Sequence, residues 1–173
     1  MKKRDYKTKR LTLAALLIAV AFILSWIEMI ISFPVAVPGI KIGLANIAIL
    51  FAMYYCGITD AACVLVGRLV LSALLFGNAS SLIIGAAGGV LSFAVMLLCK
   101  KMFGKHIIYV SIVGGTVHNI GQLIAASVIV RTSFFSFLPY LIIGGTAAGA
   151  FNGFLVSRLL NSSFFKNNGY LKK

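Results

Sequence analysis

Leu11-Thr-Leu-Ala-Ala-Leu-Leu-Ile-Ala-Val-Ala-Phe-Ile-Leu-Ser-Trp-Ile-Glu-Met-Ile-Ile-Ser-Phe33 is an apolar run of about 22 residues, long enough to cross a bilayer as one helix. It carries a single carboxylate, Glu28, in its outer third. An ionised side chain at the centre of a membrane helix costs roughly 2.5–3.5 kcal/mol on insertion scales, so such groups face a bundle interior or a wet cavity. Polar residues inside the apolar runs of this chain are therefore its best pointers to function.

The same reading extends along the chain. It is 61% hydrophobic, its mean hydropathy is +1.04, and only three of its 173 residues are acidic. Six apolar runs read as membrane helices, roughly Leu11–Phe33, Ile42–Cys56, Asp60–Leu75, Ser81–Leu98, Ile107–Val130 and Phe134–Leu159, the second and third being short. Almost nothing remains for a soluble domain. The expectation is an all-α integral membrane protein, one compact bundle of six transmembrane helices over residues 1–173. Residues 1–10 form a basic N-terminus and residues 160–173 a basic tail.

The net charge of +13 raises nucleic acid as a partner, but its placement points to a membrane. Lys2, Lys3, Arg4, Lys7, Lys9 and Arg10 precede the first run. Lys100, Lys101 and Lys105 lie between the fourth and fifth, and Arg158, Lys166, Lys172 and Lys173 close the chain. With six crossings and a cytoplasmic N-terminus, all of these fall on the cytoplasmic side, as positive-inside orientation requires. Both termini are then cytoplasmic, and contact with anionic lipid rather than nucleic acid follows. The basic-then-apolar start resembles a signal peptide, but its apolar run exceeds the usual 7–15 residues, so it reads as a retained helix. Cys56, Cys63 and Cys99 show no metal-ligand spacing and read as small packing residues.

One connection has character: Ser32-Phe-Pro-Val-Ala-Val-Pro-Gly-Ile-Lys41. Pro34 and Pro38 oppose helix there, and the loop either caps a cavity or makes a plain turn. Glycines crowd the last three helices, with Gly145, Gly149 and Gly153 forming a stripe that lets membrane helices approach closely. Ile-Val-Gly-Gly-Thr (112–116) and Ile-Ile-Gly-Gly-Thr (142–146) look alike, too briefly to imply a duplicated fold. Ala15 and Ala19 make a second small-residue strip on the first helix, for an internal contact or a partner helix.

The strongest polar cluster is Gly114-Gly-Thr-Val-His-Asn-Ile-Gly-Gln122. His118 and Gln122 share a helix face at i, i+4, with Asn119 beside them. Three polar side chains at mid-membrane depth need partners, either a ligand or neighbouring helices. Arg68 lies near the middle of the third run, and its planar fork suits a carboxylate or phosphate. Glu28 is placed to pair with Arg68, His118 or Lys41, or to meet ligand itself. Asn46 is placed to face a pocket beneath the Pro-rich loop, while Asn78 lies near the outer end of helix three and Asn152 in the inner half of helix six. The phosphate loop of nucleotide hydrolases is missing. So are the paired aspartates with which prenyl synthases hold magnesium diphosphate, because Asp5 and Asp60 are the only aspartates. No catalytic set and no cofactor are expected.

Pro38-Gly-Ile-Lys-Ile-Gly-Leu-Ala-Asn-Ile47, Gly67-Arg-Leu-Val-Leu-Ser72 and Val117-His-Asn-Ile-Gly-Gln122 resemble the motifs of a bacterial membrane family. That family is labelled heptaprenyl diphosphate synthase component I, or Gx transporter family, and is grouped with the S components of energy-coupling factor transporters. The resemblance covers nearly the whole chain. It implies six helices and an outward-facing site under the loop joining helices one and two. It also implies a coupling transmembrane protein seated on two cytoplasmic ATPases as partners. Ala15 and Ala19 match the strip with which S components meet the coupling protein.

Two readings follow, with a structural or electron-transfer scaffold as a third. In the first, the chain is a substrate-binding membrane subunit for a small or amphipathic molecule, its site lined by Glu28, Lys41, Asn46, Arg68, His118, Asn119 and Gln122. In the second, it is a non-catalytic membrane subunit accompanying polyprenyl diphosphate synthesis.

Overall fold

The computed structural model describes residues 3–31, 43–76, 79–163 and 165. Six α-helices follow one another: α1 (Lys3–Ile31), α2 (Asn46–Tyr55), α3 (Ile58–Phe76), α4 (Ala79–Phe103), α5 (Ile107–Val130) and α6 (Leu138–Asn161). A 3-10 turn, Phe135–Phe137, leads into α6, and no strand occurs among the described residues. The all-α fold expected from the apolar runs is the one observed. The fifth run and α5 coincide. The first helix starts earlier than its apolar run, at Lys3, so the basic N-terminal residues prolong it. The Pro-rich loop with Lys41, Asn78, and the basic tail beyond residue 165 lie outside the described residues.

Five of the helices are long and apolar enough to cross a membrane; α2 is not. Its 10 residues make about 15 Å of helix, half of a ~30 Å hydrocarbon core. The run Ile42–Cys56 is cut at both ends by glycines in left-handed conformations. Gly43 (φ 93°) opens a turn closed by the Asn46 amide on the Gly43 carbonyl at 3.0 Å. Gly57 (φ 123°) closes the other end, donating to the Ala52 carbonyl at 2.9 Å. This short helix is the buried centre of the bundle: Ala48, Ile49, Leu50, Ala52 and Met53 are essentially inaccessible.

Other helices supply the end groups that α2 lacks. The residue before it, Ala45, has no side chain able to cap. The Glu28 carboxylate of α1 accepts the Gly43 amide and, at 3.2 Å, the Leu44 amide. At the opposite end the Lys100 ammonium of α4 donates to the Met53 carbonyl and lies 4.6 Å from the centre of the Tyr54 ring. Lys100, expected among the basic residues that orient the chain, thus also closes a helix.

α4, α5 and α6 pack through glycine. A Cβ on Gly115 would stand 2.5 Å from the Gly145 carbonyl oxygen, and one on Gly145 would stand 2.8 Å from the Gly115 oxygen. Gly149 and Gly153 bring α6 equally close to the backbones of Ser111 and Ile108. The two Gly-Gly-Thr segments meet at this crossing, where the hydroxyls of Thr116 and Thr146 are 3.1 Å apart. Their likeness is that of two surfaces making one contact, each glycine admitting the other's backbone. On its other face α5 presents Gly121, where a Cβ would stand 3.0 Å from the Gly88 Cα of α4.

At the end of the bundle where α1 begins, Arg10 grips both Asp60 oxygens, at 2.9 and 2.8 Å. At the end of α2, Phe165 packs edge-on against Phe51 and Tyr55.

Candidate polar cleft between helices one, three, four and five

Inside this apolar bundle, polar side chains converge where α2 begins. Glu28, Arg68, His118 and Gln122 are all nine-tenths or more buried. They line one cleft together with Ser25, Ser72, Ser81, Leu69, Leu82 and Gly85. Its free volume is about 20 Å³, room for a water molecule or two.

Each member is positioned by an identifiable neighbour. Arg68 reaches across from α3, one guanidinium nitrogen donating to the Ser25 hydroxyl at 3.4 Å. Its other terminal nitrogen passes Gly89 of α4, where a Cβ would lie 2.9 Å away. One helix position earlier, a Cβ on Gly88 would meet the Gln122 side chain and the His118 carbonyl, each at 2.7 Å. The Gly88-Gly89 pair therefore vacates two adjacent spaces, one for an arginine from α3 and one for the polar face of α5. His118 and Gln122 are joined, their Nε2 atoms 3.1 Å apart.

The remaining expected site residues divide. Asn119 turns away from the cleft and donates to the Leu141 carbonyl of α6 at 3.0 Å. Asn46 lies beside Gly43 and His118, its Nδ2 only 3.1 Å from where a Gly43 Cβ would be. That Nδ2, the Arg68 Nε and the Asn119 Oδ1 are buried without a hydrogen-bond partner among the described residues. Lys41 is outside the described residues. Ala15 and Ala19 are both exposed on α1, and Ala15 borders an apolar groove of about 340 Å³ with Leu11, Ala14, Ile18 and Cys63, beneath the Arg10–Asp60 pair.

Three features of the cleft escaped sequence reasoning. Ser25, Ser72 and Ser81 look like ordinary small residues within apolar runs. Asn152 was assigned to helix six but to no contact. It donates to the Gly43 carbonyl at 3.1 Å across 109 residues of sequence, so α6 as well as α1 holds the start of α2. Gly88 and Gly89 read as packing glycines, whereas they make room for polar side chains. The spacing of Gly88 and Gly89 from Arg68 carries no signal in one sequence.

Comparison with curated proteins and with solved structures finds no match. A family model does match, over residues 17–159, the span holding the whole cleft and the glycine-packed helices. The chain belongs to the family described as heptaprenyl diphosphate synthase component I.

Proposed function

We propose that this chain is the substrate-binding membrane subunit, similar to an S component, of an energy-coupled transporter for a small or amphipathic molecule. The observation that carries this reading is the cleft, in which Arg68, His118 and Gln122 gather beside Glu28, all nine-tenths or more buried, inside an otherwise apolar bundle. An interhelical hydrogen bond in a membrane contributes only ~0.6 kcal/mol on average. Burying Arg68 costs several times that. Binding is the use that makes the residues worth keeping. Glu28, Arg68, His118 and Gln122 would form the site, with Asn46, Lys41 and Asn119 around it.

The partners are a coupling membrane protein with cytoplasmic ATPases. The exposed Ala15–Ala19 strip and its neighbouring apolar groove offer a helix-sized contact near the basic end of α1. In this reading both termini are cytoplasmic, in a bacterial cell membrane, and the chain catalyses no reaction itself. Of its two aspartates, Asp60 is held by Arg10, which leaves no pair to hold magnesium diphosphate.

The family description favours a second reading, a non-catalytic subunit beside a prenyl diphosphate synthase, because "component I" implies another component. Gentle detergent extraction of the tagged chain from native membranes, with mass spectrometry of what accompanies it, separates the two. A coupling membrane protein with two ATPases is the expected result. A soluble prenyl synthase in their place would overturn the transport reading.

A further inference from the structure

We infer that the α5–α6 corner at the basic end of the bundle seats an anionic phospholipid, its phosphate held by Arg158 and Lys105 and its acyl chains lying along the outer face of the two helices. This seat is independent of what the polar cleft binds.

The cations gathered at this end of the bundle differ in what they already hold. Arg10 grips Asp60, and the Lys100 ammonium is committed to the Met53 carbonyl and the Tyr54 ring. Lys101, Lys105 and Arg158 are exposed and have no acidic partner among the described residues. Of the acids whose side chains are described, Glu28 lies in the cleft and Asp60 belongs to Arg10. Two unlike rims result. The α1–α3 rim is neutralised by its ion pair and carries the apolar groove, whereas the rim of α4, α5 and α6 presents cations alone.

The geometry of that second rim suits a lipid rather than a soluble anion. A Cβ on Gly153 of α6 would stand 2.8 Å from the Ile108 Cα of α5, so these two residues face each other. Tyr109 and Phe154 each follow the facing residue by one position, a rotation of about 100°. In antiparallel helices those rotations carry both rings to the same side. Both are exposed there, with Phe151 beyond them, like the aromatic belt at a membrane–water boundary. The Arg158 guanidinium lies over the Phe154 ring, 5.2 Å from its centre. That contact positions the arginine without using its N–H donors, so its fork remains for two phosphate oxygens. Arg158 comes after Gly153 on α6 and Lys105 comes before Ile108 on α5, so both reach past the crossing toward the same boundary. Gly104, at φ 56°, turns the chain from α4 into α5 and leaves Lys101 and Lys105 on either side of the turn. Cations at the boundary above exposed apolar rings match the two parts of an anionic phospholipid.

The test uses the purified full chain, with native mass spectrometry counting the lipids it retains from mixed micelles of phosphatidylglycerol and phosphatidylcholine of the same acyl chains. Phosphatidylglycerol is expected to bind about tenfold more tightly, the factor that one or two cations near a membrane surface support. Lys105→Gln together with Arg158→Gln should abolish that preference, and since both side chains are exposed the variant should fold as the parent does. Lys172→Gln together with Lys173→Gln removes the same charge from the basic tail and should leave the preference intact. Equal retention of the two lipids by the unaltered chain would overturn the site, whether or not any variant folds. Equal losses in the two double variants would overturn it as well, leaving only the pull of net charge. Glycerol 3-phosphate displacing phosphatidylglycerol at equal concentration would mark a free phosphate ester, and not a lipid, as the ligand.

Discussion

Glu28 and Lys100 stand at opposite ends of α2 while belonging to neither end: the carboxylate comes from α1 to the Gly43 and Leu44 amides of the turn that leads into the helix, the ammonium from α4 to a final carbonyl. Their signs oppose the partial charges of the helix, positive at its start and negative at its finish. A 10-residue helix is marginal by itself, so these two contacts and the apolar burial of Ile49, Leu50 and Met53 keep it formed.

Glu28→Ala should therefore destabilise the protein by about 1–3 kcal/mol, the cost of leaving buried donors unmade. Glu28→Gln, which keeps an acceptor, should lose roughly half as much. Thermal unfolding in detergent measures both, and a Glu28→Ala variant as stable as the parent would rule out the capping role.

Lys100→Met removes the contact with the Met53 carbonyl and the stacking on Tyr54, and should cost about 1–2 kcal/mol. About 15 Å of helix separates it from Glu28, so the losses in the double variant should add within roughly 0.5 kcal/mol. Strong coupling between them would mean that α2 melts as a unit when either end is released.

Glycine substitutions should split sharply by position. Gly115→Ala puts a Cβ 2.5 Å from a backbone oxygen and should prevent the α5–α6 crossing, which shows as loss of monodisperse protein. Gly144→Ala meets nothing within 4 Å and should be neutral or stabilising by up to about 1 kcal/mol. Equal tolerance at the two sites would contradict the crossing described above.

Ala15→Leu and Ala19→Leu both fall on exposed positions of α1. Each should leave the isolated chain's stability within about 0.5 kcal/mol and, on the proposed transport reading, should cut recovery of a coupling membrane protein severalfold. Undiminished recovery from the double variant would remove this strip from the interface.

Much of the fold was legible because lipid imposes a simple rule: every long apolar run must be a helix. That rule located α5 to the residue and the ends of the other long helices to within five residues, except the start of α1, which lies eight residues before its apolar run. It says nothing of α2, whose limits depend on the positive φ angles of Gly43 and Gly57 and on contacts from Glu28, Asn152 and Lys100. For the site, a polar residue in an apolar run announces that it needs a partner without saying which. His118 and Gln122 turned into the cleft, whereas Asn119, one residue from His118, turned to the Leu141 carbonyl. A rotation of 100° per residue separates these outcomes, and no single sequence reveals which neighbour lies at each angle. The serines around Arg68 were invisible for the opposite reason, since small hydroxyls satisfy themselves on nearby carbonyls anywhere in a helix.

The link from Asn152 to Gly43 has a consequence for synthesis. The ribosome makes α2 early, yet the groups that hold it, Lys100 and Asn152, emerge about 50 and 100 residues later. Until then α2 is half the length of a membrane span, without a fastening at its far end and with one of two at its near end. The translocon must either retain this segment or release it to slide, so its final depth is decided after α6 arrives. A nascent chain stalled before residue 152 would carry the five membrane-length helices only in part and would leave α2 unsettled. Membrane quality control, rather than ligand, would then be the first to read the state of this helix.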